Sequence, residues 1–252
     1  MLPRELIGFS SKSYLTLEQA RAWGPRVLAG VSSDEVGATG LFACPSFPLI
    51  PALLETFGKA GGLVGAQDVS CYPSGPYTGE VSAEVLAEMG ARMVMAGHPD
   101  RRRLLGETDD VIRRKVRATA DAGMAPIVVV GEQLEGESAE RAVAAQFELW
   151  LDDLPRDADV LLAYEPAWAI GRPEPAPPGH IAESTLAVRS LLKGRVDDPR
   201  VVYGGSVQLG TFSAIREAAG NEREAVPDGV FMARAGLDPD DFLAIVREVR
   251  GS

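Results

Sequence analysis

Short apolar runs alternate with longer amphipathic segments along the whole chain. The runs are rich in valine, isoleucine and leucine, and several are unbroken, such as Ile127-Val128-Val129-Val130. Unbroken short runs are typical of parallel strands that are covered on both faces. We predict eight strands: Glu5–Phe9, Gly40–Cys44, Leu63–Gln67, Arg92–Ala96, Pro126–Val130, Val160–Tyr164, Val201–Tyr203 and Val230–Met232.

Segments between the strands carry apolar residues on one face of a helix. Residues spaced by three or four positions share a face, and such a face packs against a sheet. The sets with this spacing are Ile112, Val116 and Ala120; Ala139, Val143 and Phe147; and Phe242, Ile245, Val246 and Val249. Two helix starts are also marked. Thr16 with Gln19 predicts a capping box, and Asp238 with Pro239 predicts an N-cap followed by the first helical residue.

The number of units points to one architecture. Eight β-then-α units in 252 residues match a closed (β/α)8 barrel, whereas an open doubly wound sheet needs about five or six strands. No linker divides the chain, so we expect a single α/β domain over residues 1–252. The Pro-rich stretch 166–178 directly follows a strand and is predicted to be a functional loop, because the active-site loops of a barrel follow its strands.

Composition narrows the class of protein. The chain is 46% hydrophobic and 24% charged, which excludes a disordered chain. Its net charge of −11 argues against nucleic-acid binding, and any anion site must be built locally from a few cations and backbone N–H groups. No apolar run reaches the roughly 18 residues of a membrane helix, and no signal-peptide core is present, so we expect a soluble cytoplasmic protein. Cys44 and Cys71 make no disulfide framework, and no cluster has metal-ligand spacing.

Polar and glycine-rich segments follow four of the predicted strands. They read SSK at residues 10–12, GHPDRR at 97–102, YEPAWAIG at 164–171 and YGGSV at 203–207. In a barrel these segments meet at one rim, because the carboxyl ends of all strands open there. Together with the longer GHPDRRRLLGETDD, they closely resemble the triosephosphate isomerase family. The resemblance runs from the first strand to the last helix.

The resemblance implies an enzyme, an aldose–ketose isomerase that acts on a small phosphorylated sugar and needs no metal or organic cofactor. Glu165 would be the base that moves a proton between adjacent carbons through an enediolate. His98 would be the neutral electrophile on the carbonyl oxygen, and backbone N–H groups at a helix start are expected to lower its pKa. Lys12 would be the cation beside the substrate. The second histidine, His180, is expected to be structural.

The same resemblance implies a phosphate site, a lid and a dimer. The phosphate would meet a short helix after the eighth strand and the backbone N–H groups of four residues: Gly171, Gly204, Gly205 and Ser206. The lid, residues 166–178, would exclude water and keep the enediolate from losing its phosphate. The loop 68–82 would form a homodimer contact in which Thr78 reaches the neighbouring site; a surface loop is the alternative.

Departures from the family cluster around the substrate. Ser10 replaces an asparagine and leaves space, and Pro99 replaces a serine. Residues 172–177 make the second half of the lid proline-rich, which should stiffen it. Ala233 and Arg234 replace a Gly-Gly pair, and a positive φ is costly for both residues. Arg234 could contact the phosphate or point outward, and the sequence leaves both alternatives open.

The departures leave the substrate open. The expected pair is glyceraldehyde 3-phosphate and dihydroxyacetone phosphate, because the three residues of the general chemistry are all present. A four-carbon ketose phosphate such as erythrulose phosphate is the alternative, since a smaller side chain beside the reacting carbons could admit one more CHOH unit. Two further alternatives are a non-catalytic phosphate-binding barrel and another phosphate-binding barrel isomerase; the YEPAWAIG segment disfavours the latter.

Overall fold

A computed structural model describes residues 1–251, apart from the side chains of residues 33 and 34. Eight parallel strands pair in sequence order, and the last pairs with the first to close a barrel. The closed barrel is therefore confirmed, and each predicted strand end lies within one residue of the observed end. The strands are β1 (Leu6–Ser10), β2 (Leu41–Cys44), β3 (Leu63–Ala66), β4 (Met93–Ala96), β5 (Ala125–Val130), β6 (Leu161–Tyr164), β7 (Arg200–Tyr203) and β8 (Gly229–Met232).

Helices connect the strands on the outside of the barrel. The capping box at the start of the first helix is confirmed, since Thr16 Oγ1 accepts from the Gln19 N–H at 3.2 Å and Gln19 Oε1 accepts from the Thr16 N–H at 2.8 Å. Asp238 caps the last helix as predicted. The helices are α1 (Leu17–Ala29), α2 (Ser33–Ala38), α3 (Ile50–Glu55), α4 (Ala83–Met89), α5 (Pro99–Leu105), α6 (Asp109–Asp121), α7 (Ala139–Trp150), α8 (Pro178–Leu192), α9 (Thr211–Ala219) and α10 (Pro239–Arg250). No helix in the described part of the chain is long and apolar enough to cross a bilayer.

Alternate residues of each strand serve two separate cores. On β5, Ile127 and Val129 belong to the cluster inside the barrel, whereas Val128 and Val130 belong to the cluster between barrel and helices. This period of two follows from the pleat of the strand. The interior is filled by side chains, as where Phe42 packs on Phe231 with their ring centroids 5.2 Å apart. Because side chains fill the barrel interior, a ligand site is expected at the rim formed by the carboxyl ends of the strands.

A largely buried ionic cluster holds α5 beneath this rim. Lys115 of α6, which is 4% exposed, pairs with Asp68 and Glu107. Arg101 of α5 reaches the same two carboxylates at 2.7 and 3.2 Å. The cluster thereby ties the start of the 68–82 loop and α5 to α6.

Candidate active site

His98 ends the turn after β4 and caps α5. Its Nδ1 accepts a hydrogen bond from the Asp100 N–H at 3.0 Å, so the proton of the neutral ring lies on Nε2. Burial, followed by the positive charge of Lys12, lowers the pKa of His98 to about 4. The expected backbone contact is thus present, but burial is the larger cause of the low pKa. At neutral pH the ring offers an uncharged Nε2–H.

Glu165 stands directly after β6 and faces this ring. Its Oε2 lies 3.7 Å from His98 Nε2, and the residue is 5% exposed. Burial raises the pKa of Glu165 to about 8; the charge of Lys12 lowers it and that of Asp100 raises it. A carboxylate with such a pKa is a strong base for a carbon-bound proton at neutral to mildly alkaline pH.

Lys12 is held in an unusual backbone conformation after β1. Its φ of +43° is the one positive value at a non-glycine position within residues 1–251. The turn is braced by Ser10 Oγ, which accepts from the Lys12 N–H at 3.3 Å, and by Gln67 Nε2, which donates to the Lys12 carbonyl at 2.9 Å. Strain of this kind is retained where the surroundings fix the conformation, and it is common at functional sites.

Asp100 connects the lysine to the histidine. Lys12 Nζ lies 2.6 Å from Asp100 Oδ2, and His98 Nδ1 lies 3.8 Å from the same oxygen. Burial alone would raise the pKa of Asp100, but the hydrogen bond from Lys12 and the neighbouring positive charges keep it below its usual value. An incoming anion therefore meets a lysine that already has a carboxylate partner.

Residues 166–178, the predicted lid, contact the end of β7 and the segment that follows it. Ser206 Oγ lies within hydrogen-bond distance of two lid carbonyls, at 3.1 Å from that of Ala169 and 3.0 Å from that of Arg172. Farther along, the Ala176 N–H donates to the Tyr203 hydroxyl at 3.2 Å, and Ala176 is fully buried. Both halves of the lid are thus bound to the YGGSV segment.

A cavity of about 1050 Å³ opens between these elements. It places together most of the residues that the sequence singled out: Ser10, Lys12, His98, Glu165, Gly171, Gly204, Ser206, Ala233 and Arg234. Gly205 does not line it, since Gly205 is buried against Tyr203, where a Cβ would lie 2.5 Å from the hydroxyl. Thr78 is exposed on the 68–82 loop and does not line this cavity either.

Ala233 and Arg234 follow β8, at the two positions where the family has a glycine pair. Ala233 has a φ of −109°, and Arg234 begins a one-turn 3-10 helix, so neither residue needs a positive φ. Arg234 is exposed at the cavity, and its guanidinium makes no hydrogen bond or ion pair within the described chain. A cation without a partner is available for an anionic ligand.

Two polar residues of the site escaped the sequence interpretation. Gln67, at the end of the predicted third strand, braces the Lys12 turn, and Tyr203, at the end of β7, anchors the lid. Each is a polar side chain that closes an otherwise apolar run. That position on the rim is the signal that could have identified them.

Comparisons with known proteins agree with this geometry. The model of the triosephosphate isomerase family matches residues 5–249. The chain is 34% identical to an L-erythrulose-1-phosphate isomerase of Pectobacterium atrosepticum, over 96% of this chain and 94% of that protein. It is 40% identical to a triosephosphate isomerase of Alkalilimnicola ehrlichii, over 89% and 90%. A crystal structure of triosephosphate isomerase from Bartonella henselae superposes with a TM-score of 0.83, at 29% identity and covering 99% and 100% of the two chains.

Proposed function

The chain belongs to the triosephosphate isomerase family and is an isomerase, and we propose that it interconverts glyceraldehyde 3-phosphate and dihydroxyacetone phosphate. The observation that carries the proposal is the meeting of a buried carboxylate, a neutral imidazole and a lysine around one cavity. Glu165 Oε2 and His98 Nε2 are 3.7 Å apart there, and Lys12 lines the same space.

The proposed chemistry needs only these side chains. Glu165 takes a proton from the carbon next to the carbonyl, and the electron pair moves toward the carbonyl oxygen to give an enediolate. His98 Nε2–H hydrogen-bonds that oxygen and moves a proton between the two oxygens, while Lys12 offsets the negative charge. Glu165 then returns its proton to the neighbouring carbon. The raised pKa of Glu165 and the lowered pKa of His98 suit these roles.

The substrate phosphate is proposed to lie at the far side of the cavity from Glu165. Gly171 and Ser206 would offer backbone N–H groups, and the Ala233–Arg234 segment would add the free guanidinium. The expected contribution of Gly204 is wrong, because its N–H already donates to the Tyr164 carbonyl at 2.9 Å. Gly205 would act on the turn beside Tyr203 rather than on the ligand. An arginine can supply charge-assisted hydrogen bonds that replace those of a glycine pair.

A four-carbon ketose phosphate is the second candidate substrate. Ser10 is a small side chain on the cavity wall next to the reacting groups, and its hydroxyl is turned back to the Lys12 N–H. The relative from Pectobacterium atrosepticum that carries the erythrulose phosphate name matches almost the full chain. The same proton transfer would serve this substrate.

A homodimer that acts in the cytoplasm completes the proposal. Tyr72 and Tyr77 stack at 4.3 Å on the 68–82 loop and are each more than a third exposed. Leu104 and Leu105, the last two residues of α5, are also exposed, and exposed apolar patches favour contact with another chain. Thr78, on the same loop, would then reach the partner's cavity.

A coupled assay on both substrate classes tests the proposal. The expected result is turnover of the triose phosphate that falls by several orders of magnitude in a Glu165→Gln variant. Triose turnover no faster than that of the variant, together with rapid turnover of erythrulose phosphate, would replace the first candidate by the second.

A further inference from the structure

Glu132 is a buried carboxylate beside the lid that the proposed proton transfer does not use. It follows β5, and its side chain is fully buried. A buried carboxylate requires hydrogen bonds or a countercharge to offset the loss of hydration. Its backbone already contacts the lid, because the Ala167 N–H donates to the Glu132 carbonyl at 2.9 Å.

Donors from both ends of the lid converge on this carboxylate. From the first end, Trp168 Nε1 donates to Glu132 Oε1 at 2.8 Å. From the second end, His180 Nε2 lies 2.8 Å from the same oxygen. The Tyr164 hydroxyl lies 3.1 and 3.2 Å from the two carboxylate oxygens and 2.9 Å from His180 Nε2. His180 stands in the first turn of α8, just beyond the lid, so one carboxylate joins the two hinges.

The donors and acceptors of this cluster fix the proton on His180. Burial raises the pKa of Tyr164 well above its usual value, so the hydroxyl keeps its proton and donates it. An ionised carboxylate only accepts hydrogen bonds. Nε2 of His180 faces Glu132 Oε1 at hydrogen-bond distance and must therefore carry a hydrogen.

The ion pair that the lid makes through Arg172 is much more exposed. Arg172 lies over the Trp168 ring at 5.1 Å and pairs with Glu135 at 3.0 Å, but the side chains of this pair are 50% and 63% exposed. Exposed ion pairs contribute little to stability. The contact between His180 and the fully buried Glu132 is therefore the stronger one. It fixes the carboxylate to which Trp168 donates.

We propose that His180 is a positioning residue of the lid. It donates to Glu132 and thereby fixes the carboxylate that holds Trp168, so that the two hinges move as one unit. The role rests on the proposed isomerase function. Without this donor the lid closes poorly over the triose enediolate, and the C3–O bond breaks. Inorganic phosphate then leaves with the electron pair, and the remaining enol tautomerises to methylglyoxal.

Two substitutions at His180 test the proposal. His180→Leu removes the donor, and His180→Gln keeps an N–H donor of similar reach. Glu183→Gln, an exposed change on the same helix, is the matched control. Inorganic phosphate released per isomerisation is measured for each protein, together with the melting temperature. We expect a rise of about tenfold for His180→Leu, as for the loss of one hydrogen bond to a charged group. The phosphate released per isomerisation by His180→Gln should be close to the wild-type value.

A second readout does not depend on turnover. Emission of Trp168, obtained by subtraction of a Trp168→Phe protein, is followed as inorganic phosphate is added. His180→Leu should lose the phosphate-induced change that wild type and His180→Gln show. Unchanged emission and unchanged phosphate release in His180→Leu would overturn the proposal, as would equal defects in the leucine and glutamine variants. If wild type isomerises no sugar phosphate, the proposed function fails. The role of His180 is then tested by the Trp168 emission alone.

Discussion

Gly204 and Glu165 are packed so closely that a Cβ on the glycine would lie 2.3 Å from Glu165 Oε1. Real Cβ atoms do not approach an oxygen to this distance, and Glu165 is 5% exposed. The absence of a side chain at Gly204 is therefore required on the side that faces Glu165. It makes the space in which the proposed base stands opposite His98.

A Gly204→Ala substitution should displace this carboxylate. We expect kcat to fall by about a hundredfold, since misplacement of a reacting group by about 1 Å costs that much. The melting temperature should change far less than the activity, because the methyl group meets a side chain at the rim and not the core. Gly37→Ala, on α2, is the control, because nothing lies within 4 Å of the added Cβ there. Steady-state kinetics of both variants check this, and wild-type activity in Gly204→Ala would contradict it.

The pH dependence of kcat/KM should report the raised pKa of Glu165. The base acts when ionised, so the rate should rise with pH and level off above about 8. His98, with a pKa of about 4, stays neutral over this range and adds no second limb near pH 7.

Asp100→Asn provides an internal check on this assignment. The negative charge of Asp100 contributes to the raised pKa of Glu165, so its removal should shift the rising limb to lower pH. Asp157→Asn, an exposed change before β6, should leave the profile in place. A profile that is flat from pH 5 to 9, or one that Asp100→Asn leaves unmoved, would refute the account of the base.

Arg234 should contribute to binding of the substrate phosphate. An Arg234→Ala variant is expected to raise KM by about tenfold or more with a smaller change in kcat, because a hydrogen bond to a charged group is worth about 1.5–3 kcal/mol. Arg223→Ala, an exposed arginine on the 3-10 helix before β8, is the matched control. Inhibition by inorganic phosphate gives the affinity without turnover. An unchanged inhibition constant would mean that the guanidinium points away from the ligand.

Lys115 should be required for stability more than for chemistry. Lys115→Met would remove the more buried of the two cations that reach Glu107, whose side chain is 3% exposed, and leave only the contact from Arg101. Loss of one partner of a buried pair costs about 3–5 kcal/mol. At about 2–4 °C per kcal/mol for a chain of this size, the melting temperature should fall by about 10 °C. Arg117→Met, which breaks the exposed pair with Asp121, should lower it by about 1 °C, and equal effects of the two changes would contradict this ranking.

Much of the fold could be predicted from the sequence because its signals are local. Unbroken apolar runs identified the parallel strands, and the Thr16 capping box marked a helix start. Counting the units distinguished a closed barrel from an open sheet. Once the strand ends were assigned, the barrel itself brought residues 12, 98 and 165 to one rim, so long-range geometry followed from topology.

What the sequence could not predict depends on contacts between distant segments. The sequence predicts a structural role for His180 but not its partner, Glu132, which lies 48 positions away along the chain. Lys12 has a positive φ in a turn whose carbonyl accepts a hydrogen bond from Gln67, 55 positions away along the chain. The low pKa of His98 comes mainly from burial, and burial depends on packing between segments that are distant in the sequence.

Exchange of substrate hydrogen with solvent tests the central claim most directly. The claim is that Glu165 moves a carbon-bound proton with His98 and Lys12 beside it. Wild type incubated with dihydroxyacetone phosphate in heavy water should incorporate deuterium at the carbon that loses its proton, and Glu165→Gln should incorporate almost none. Ligand-induced stabilisation of the wild-type protein by this compound, without incorporation of deuterium into it or into erythrulose phosphate, would contradict the account and indicate a binding protein instead.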